Sequence, residues 1–273
     1  MATQAARPES APRPILKWAG GKQALAERLV ADFPPRFERY FEPFVGGASV
    51  FLCLQPRRAV LCDRNAWLVE TYRAVRDHAG EVARELSALR NTREDFLRIR
   101  ALDPRALPPP RRAAHLVYLN KTCFRGLFRV NRAGRFNVPY GGYQRRYFDP
   151  ANLSRFAASL AGVDLRCGDF ECGLEGITAR DFAYLDPPYH KLGGYSDFNR
   201  YTDQPFVEAD HARLANVCRA LDRRSVRWAV TQSDTALVRR LFAGFRVRRV
   251  RARREINLAS SRRDIVELLI TND

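Results

Sequence analysis

A chain of 273 residues can bury a core as one large domain or two small ones, and 46% hydrophobic and 11% aromatic residues exclude a disordered chain. Its formal charge is +17, and only four of the 47 basic residues are lysine (Lys17, Lys22, Lys121, Lys191), so the positive charge is nearly all guanidinium. Guanidinium suits bidentate contacts with phosphates and guanine. A polyanion is therefore the expected partner, nucleic acid before membrane, because no long apolar span or basic amphipathic helix stands out.

The N-terminus through Arg13 is rich in Ala, Pro and Arg and lacks an apolar signal core, so residues 1–13 are expected to be a disordered tail. Next comes Leu16-Lys17-Trp18-Ala19-Gly20-Gly21-Lys22. A phosphate loop is excluded there, because Leu16 stands where its first glycine belongs and Gln23 where its Ser or Thr belongs. What remains is a glycine turn beside an aromatic wall, then a helix from Gln23 to Asp32. Tyr40 to Leu52 reads as strand, glycine turn (Phe44-Val45-Gly46-Gly47) and helix, and a second strand, Ala59–Cys62, ends in Asp63. This is a βαβ nucleotide-binding half without a pyrophosphate fingerprint: glycines admit the ligand and the acid accepts from ribose hydroxyls.

From Asn65 to Leu119 the periodicity is helical, with Trp67, Leu68, Tyr72 and Val75 on one face, and Pro108-Pro109-Pro110 sets off a further buried helix. Between Lys121 and Arg146 arginines interleave with aromatics around a turn at Arg132-Ala133-Gly134-Arg135. Such a hairpin suits phosphates, base edges and stacking. Strands return at Asp164–Cys167, followed by Asp169, and again at Val226–Thr231, Phe245–Val250 and Ile265–Ile270. A helix is expected over Glu208–Leu221, and the polar, Gly/Tyr-rich segment 191–204 is expected to be a mobile loop.

The apolar run Phe182-Ala183-Tyr184-Leu185 ends in Asp186-Pro187-Pro188-Tyr189. Two prolines stop sheet pairing and fix the backbone, which holds Asp186 and Tyr189 at a strand's carboxyl end, where α/β sheets bind ligands. The chemistry this group suits is methylation of an exocyclic amino group. A carboxylate and the Pro187 carbonyl can accept both amino protons, concentrating the lone pair on nitrogen, while Tyr189 stacks on a base swung out of the helix. The six cysteines form no Cys-x-x-Cys pair and are expected to be buried thiols in a reducing cytoplasm. The four histidines are dispersed, so no metal site is expected.

Four blocks in this order resemble the Dam-type DNA adenine methyltransferases: Leu16 to Lys22, Glu42 to Phe51, Leu119 to Asn131 running on to Phe136-Asn137-Val138-Pro139, and Asp186 to Tyr189. Weaker similarity runs through Val266-Glu267-Leu268-Leu269. The resemblance implies a Rossmann-like α/β fold, S-adenosylmethionine as donor without a metal, and double-stranded DNA as substrate, with GATC the site of the best-known relatives. It implies Asp186, Pro187, Pro188 and Tyr189 as the catalytic group. Trp18, Lys22, Phe44, Gly46, Asp63, Asp169 and Asp186 would serve the donor, and Lys17, Phe124, Arg125, Arg129, Pro139 and Tyr143 the DNA. This chain departs from many relatives in carrying Arg125 where they have Asn, and Gly142 where some have Arg.

The expected organisation is a catalytic sheet, residues 14–63 and 160–273, interrupted by a helical and hairpin recognition module at 64–159. A cytoplasmic, nucleoid-associated enzyme follows, and a restriction endonuclease reading the same site is a candidate partner. Methylation of cytosine's 4-amino group, an RNA adenine substrate, and a DNA-binding module without catalysis remain the alternatives.

Overall fold

The computed structural model describes residues 11–190, 206–253 and 264–273. The expectation for 191–204 lies outside the described residues. Seven strands form one sheet: β1 (Tyr40–Glu42), β2 (Ala59–Asp63), β3 (Asp164–Cys167), β4 (Phe182–Leu185), β5 (Arg227–Ser233), β6 (Arg246–Arg253) and β7 (Asp264–Thr271). Their spatial order is β3-β2-β1-β4-β5-β7-β6. The first five are mutually parallel, and β7 runs antiparallel between β5 and β6.

Strands β1 and β4 are buried on both faces because their side chains alternate between two apolar cores. Tyr40, Phe182 and Tyr184 enter one core, and Phe41, Ala183 and Leu185 the other. Helices α1 (Ala26–Val30), α2 (Ser49–Leu54), α3 (Ala66–Ser87), α4 (Arg93–Ala101), α5 (Pro109–Thr122) and α6 (Pro150–Ser159) precede β3 or lie on the first face. On the second face Phe170 of α7 (Phe170–Gly173), Leu214 of α8 (Glu208–Arg223) and Val238 of α9 (Ala236–Leu241) are buried. No helix among the described residues is long and apolar enough to cross a membrane.

Several boundaries differ from expectation for physical reasons. Helix α1 starts only at Ala26, since Gln23 to Leu25 form a turn closed by the Leu25 amide on the Lys22 carbonyl at 2.8 Å. Arg13, placed in the tail by composition, is tied down: its N–H donates to Asn152 Oδ1 (2.8 Å) and its carbonyl accepts from Asn152 Nδ2 (3.0 Å). Cys167 is exposed, whereas Cys62, Cys123 and Cys218 are buried, so the buried-thiol expectation fails at the end of β3. Strand β6 runs on to Arg253 because each of its residues pairs with β7.

The segment between β2 and β3 does not build a core of its own. Leu68, Tyr72, Tyr118, Phe136 and Phe156 share one apolar cluster with the sheet residues Tyr40 and Phe182. Asn65 caps α3 by accepting from the Leu68 amide at 3.1 Å, and Arg76 Nη1 bonds the Val163 carbonyl at 3.1 Å. The helix that leads into the inserted segment is thereby fastened to the turn that leads back out of it.

Candidate active site

The strand order reverses between β1 and β4, the crevice where parallel sheets bind ligands. Two turns flank it. Phe44-Val45-Gly46-Gly47 leaves β1, and Asp186-Pro187-Pro188-Tyr189 leaves β4.

Asp186 stands at the centre of a polar cluster. One carboxylate oxygen accepts from Lys22 Nζ at 2.8 Å and the other from Thr231 Oγ1 at 2.7 Å. A carboxylate offers about four lone-pair sites, so both oxygens keep capacity for further donors. The hydroxyl proton of Thr231 is committed to Asp186, so Tyr184 donates to Thr231 Oγ1, at 2.9 Å. Lys22 is only 5% exposed, bonds the Gly20 carbonyl at 2.8 Å, and lies 4.7 Å from the Tyr189 ring centroid. The Tyr189 hydroxyl donates to Glu267 Oε2 at 2.8 Å. Glu42, buried at the end of β1, accepts from the Tyr40 hydroxyl at 2.9 Å, and burial pushes its carboxyl well above the usual carboxylate range.

The β1 side is built around one peptide. Asp63 Oδ2 accepts from the Gly46 amide at 3.0 Å, and the Tyr72 hydroxyl donates to the Gly46 carbonyl at 2.6 Å. Gly46 has φ +44°, and a Cβ there would lie 2.8 Å from Trp18 Cδ1, so only glycine lets the indole close over this turn. Trp18 in turn stacks on Phe128 at 5.2 Å. Asp63 Oδ1 takes the Asn65 amide at 2.9 Å, and desolvation, partly offset by these amides, pushes its carboxyl up to about 6. Farther along the edge Phe44 stacks on Phe170 at 5.4 Å beside Phe206, and Asp169 accepts from Arg213 at 2.8 Å.

A second cluster lies on the inserted segment. Asn120, fully buried, accepts from the Lys17 amide (2.7 Å) and donates to the Lys17 and Gly126 carbonyls (2.9 and 3.0 Å), binding the N-terminal block to the start of the hairpin. A Cβ at Gly126, where φ is +68°, would lie 2.3 Å from Lys17 Cδ, so glycine is needed for Lys17 to cross here. The turn beyond it is held by Asn131 Oδ1, which accepts from the Ala133 and Arg135 amides at 3.0 Å. In place of a regular two-stranded ladder there are single bridges, Val130 to Phe136 and Cys123 to Tyr140. Arg129 is exposed and aimed by Asn137, whose side-chain oxygen accepts from its Nε at 2.6 Å. Phe124 is 42% exposed, and its amide bonds the Pro139 carbonyl at 2.8 Å. Arg125 takes the left-handed conformation, φ +60°, with its amide on the Tyr143 hydroxyl at 2.9 Å. Asn tolerates that conformation better than Arg.

The description "D12 class N6 adenine-specific DNA methyltransferase" matches residues 18–256. The chain belongs to this methyltransferase family. It is 35% identical to the type II methyltransferase M.MjaIII of Methanocaldococcus jannaschii, over 95% of this chain and 99% of that protein. It is 33% identical to the DNA adenine methylase of Escherichia coli K12, over 94% of each chain, and 32% identical to the type II methyltransferase M1.LlaDCHI of Lactococcus lactis, over 95% of each.

As a member of the D12 class the protein is an adenine-N6 DNA methyltransferase, and the family implies S-adenosylmethionine as donor. The β1 side suits that molecule: a carboxylate with spare lone pairs, a turn without Cβ at Gly46, and an aromatic cluster with an acid beyond it. The sequence-derived residues fall into two groups, one around Asp186 and Gly46 and the other on the hairpin, with Lys17 joining them through Asn120. Lys22 bridges the Gly20 carbonyl and Asp186. Sequence reading missed Asn120, Thr231, Gln232 and Glu267. A visible signal was the polar run Thr231-Gln232-Ser233 closing an otherwise apolar strand.

Proposed function

We propose that Asp186 and the Pro187 carbonyl receive the amino protons of a flipped adenine while Tyr189 stacks on its ring, and that Pro188 stiffens the turn. The observation that carries this reading is the position of Asp186 at the switch point, with one hydrogen bond on each oxygen and capacity left on both. Drawing the protons toward two acceptors makes the amino lone pair available. S-adenosylmethionine, when bound, supplies an electrophilic methyl group. Lys22 holds the carboxylate in place through an ion pair that is itself shielded from water.

The donor is assigned to the β1 side: Trp18 and Phe44 wall it, Gly46 underlies it, Asp63 accepts from the ribose hydroxyls, and Asp169 takes its far end. Asp63 gives this a pH signature. Its raised carboxyl contributes fold stability in full below the ordinary carboxylate value, a contribution lost as pH rises through about 6. Ribose hydroxyls need the ionised form, so donor affinity runs the opposite way. Calorimetry is expected to find affinity about tenfold weaker at pH 5 than at pH 7.5, and no such step in Asp63→Asn. A flat profile in the wild type would place the ribose elsewhere.

The hairpin is assigned to DNA in the cytoplasm. Arg129 and Lys17 reach bases, Phe124 wedges into the duplex, Pro139 lies against the site, and Arg125 and Tyr143 brace the flanks. Lys121 sits half-buried beneath, where desolvation and then Lys17, Arg145 and Arg13 hold its ammonium down to about 8. A phosphate there favours the charged form. DNA affinity is thus expected to fall as pH rises through about 8, with the salt slope shallower by about one ion, and Lys121→Gln should remove the step. Fluorescence titration at several salt concentrations measures both. An unchanged pH step in Lys121→Gln would assign it to another group.

The type II names among the relatives extend the reading to a restriction endonuclease partner at the same site. Expression in a methylation-free host followed by modified-base sequencing tests the whole assignment. N6-methyladenine at one short GATC-like motif is expected, and 4-methylcytosine or methylation confined to RNA would overturn it.

A further inference from the structure

Strand β5 passes from Trp228-Ala229-Val230 to Thr231-Gln232-Ser233, and the buried polar residues at its end face the Asp186–Tyr189 turn. Gln232 is 0% exposed, and its amide is saturated. Nε2 lies 3.3 Å from the Pro188 carbonyl, to which it donates, and 3.3 Å from Nδ1 of His211. Oε1 accepts from the His190 amide at 3.2 Å and from the Ser233 amide at 3.0 Å. Ser233 Oγ adds a bond to the His190 carbonyl at 2.6 Å.

The two main-chain groups gripped by Gln232 belong to the peptides on either side of Tyr189. Fixing the carbonyl before a residue and the N–H after it fixes that residue's φ and ψ, and with them the direction of its side chain. A neighbouring strand would do this through backbone bonds. Pro187 and Pro188 have no N–H to offer such a ladder, so a side chain supplies the constraint. The amide can sit only one way round. Turned over, its oxygen would face the Pro188 carbonyl and its NH₂ would face two N–H groups. His211 is compatible with that choice: burial and then the nearby His190 push its ring down to about 4, and a neutral ring protonated on its own Nε2 accepts at Nδ1 from the Gln232 amide.

We propose that Gln232 is a positioning residue for transfer, holding Tyr189 at the stacking angle and the Pro187–Pro188 segment in line with the target amine. The proposal rests on the assignment of Asp186–Tyr189 as the transfer site. Its effect falls on the methyl-transfer step, because Gln232 reaches neither the β1 side nor the hairpin.

The test compares wild type, Gln232→Met, Gln232→Glu and Asp186→Ala in single-turnover transfer at saturating DNA and donor. Rates are normalised to the folded fraction by donor-binding stoichiometry, so partial unfolding is accounted for. Gln232→Met keeps the length without hydrogen bonds, and Gln232→Glu loses the donor pair to Pro188 and His211. Both are expected to lose about 10- to 100-fold in rate, with dissociation constants for DNA and donor within about twofold of wild type. With 2-aminopurine at the target position, both should still show flipping but with brighter emission, because the flipped base stacks less well. Wild-type rates and emission in the two variants, with Asp186→Ala inactive, would overturn the positioning role alone. Wild-type rates in Asp186→Ala would overturn the transfer-site assignment instead.

Discussion

Asp186→Ala is expected to lower the single-turnover rate of methyl transfer at least about 10³-fold, the loss that follows removal of a preorganised charged acceptor from a transition state. The fold should survive. Lys22 loses one acceptor but keeps the Gly20 carbonyl at 2.8 Å, and Glu267 stands 3.9 Å away to take up the charge. Thr231 loses one acceptor and retains Tyr184 as a donor. Asp186→Asn is the sharper variant: it keeps the shape, but its NH₂ presents donors to Lys22, Thr231 or the substrate amine. It should therefore be nearly as slow as the alanine variant. Rapid-quench assays give the rate, and calorimetric melting shows whether the cluster still folds. A folded Asp186→Ala protein with wild-type transfer would remove Asp186 from the chemistry.

Arg129→Ala is expected to cost about 1–3 kcal/mol of discrimination at a single base pair, the value of a bidentate guanidinium contact to guanine. The geometry favours reading over anchoring. Asn137 holds Nε and Nη2 from the far side of the hairpin, which aims an exposed guanidinium without burying it. Asn137→Ala should reproduce part of the loss by freeing that side chain. Arg145, packed 4.8 Å from the Tyr143 ring centroid, is proposed instead as a phosphate contact. Its removal should weaken binding to every sequence alike and flatten the salt dependence. Methylation rates on the preferred site and its single-base variants separate the two. Equal slowing on all substrates in Arg129→Ala would make it a backbone contact.

The parts of the site carried by one continuous stretch were readable from the sequence. An apolar strand that stops at Asp-Pro-Pro-Tyr puts an acid and an aromatic ring at a sheet edge whatever surrounds it, and Phe44 to Gly47 followed by Asp63 reads as a βαβ crevice in the same way. What the stretches could not convey is which distant residues face them. Glu267 reaches Tyr189 only because β7 inserts antiparallel between β5 and β6, pairing Ser233 with Glu267. Thr231 and Gln232 read as ordinary strand residues until β5 lies beside β4. The resemblance places Lys22 beside the donor, and the short turn before α1 sends its ammonium to Asp186, a contact across the chain that no single stretch could convey. Residues 64–159 stood apart by periodicity, yet Tyr72 and Phe156 pack into the same core as the sheet. Helical periodicity reports a buried face and is silent about what buries it.

The transfer-site assignment is tested most directly by a crystal structure of the protein with S-adenosylhomocysteine and a duplex carrying its site. The account predicts an adenine out of the stack and against the Tyr189 ring, with its 6-amino nitrogen within about 2.7–3.2 Å of both an Asp186 oxygen and the Pro187 carbonyl. An adenine whose amino group meets other acceptors, with Asp186 bonded only to Lys22 and Thr231, would contradict it.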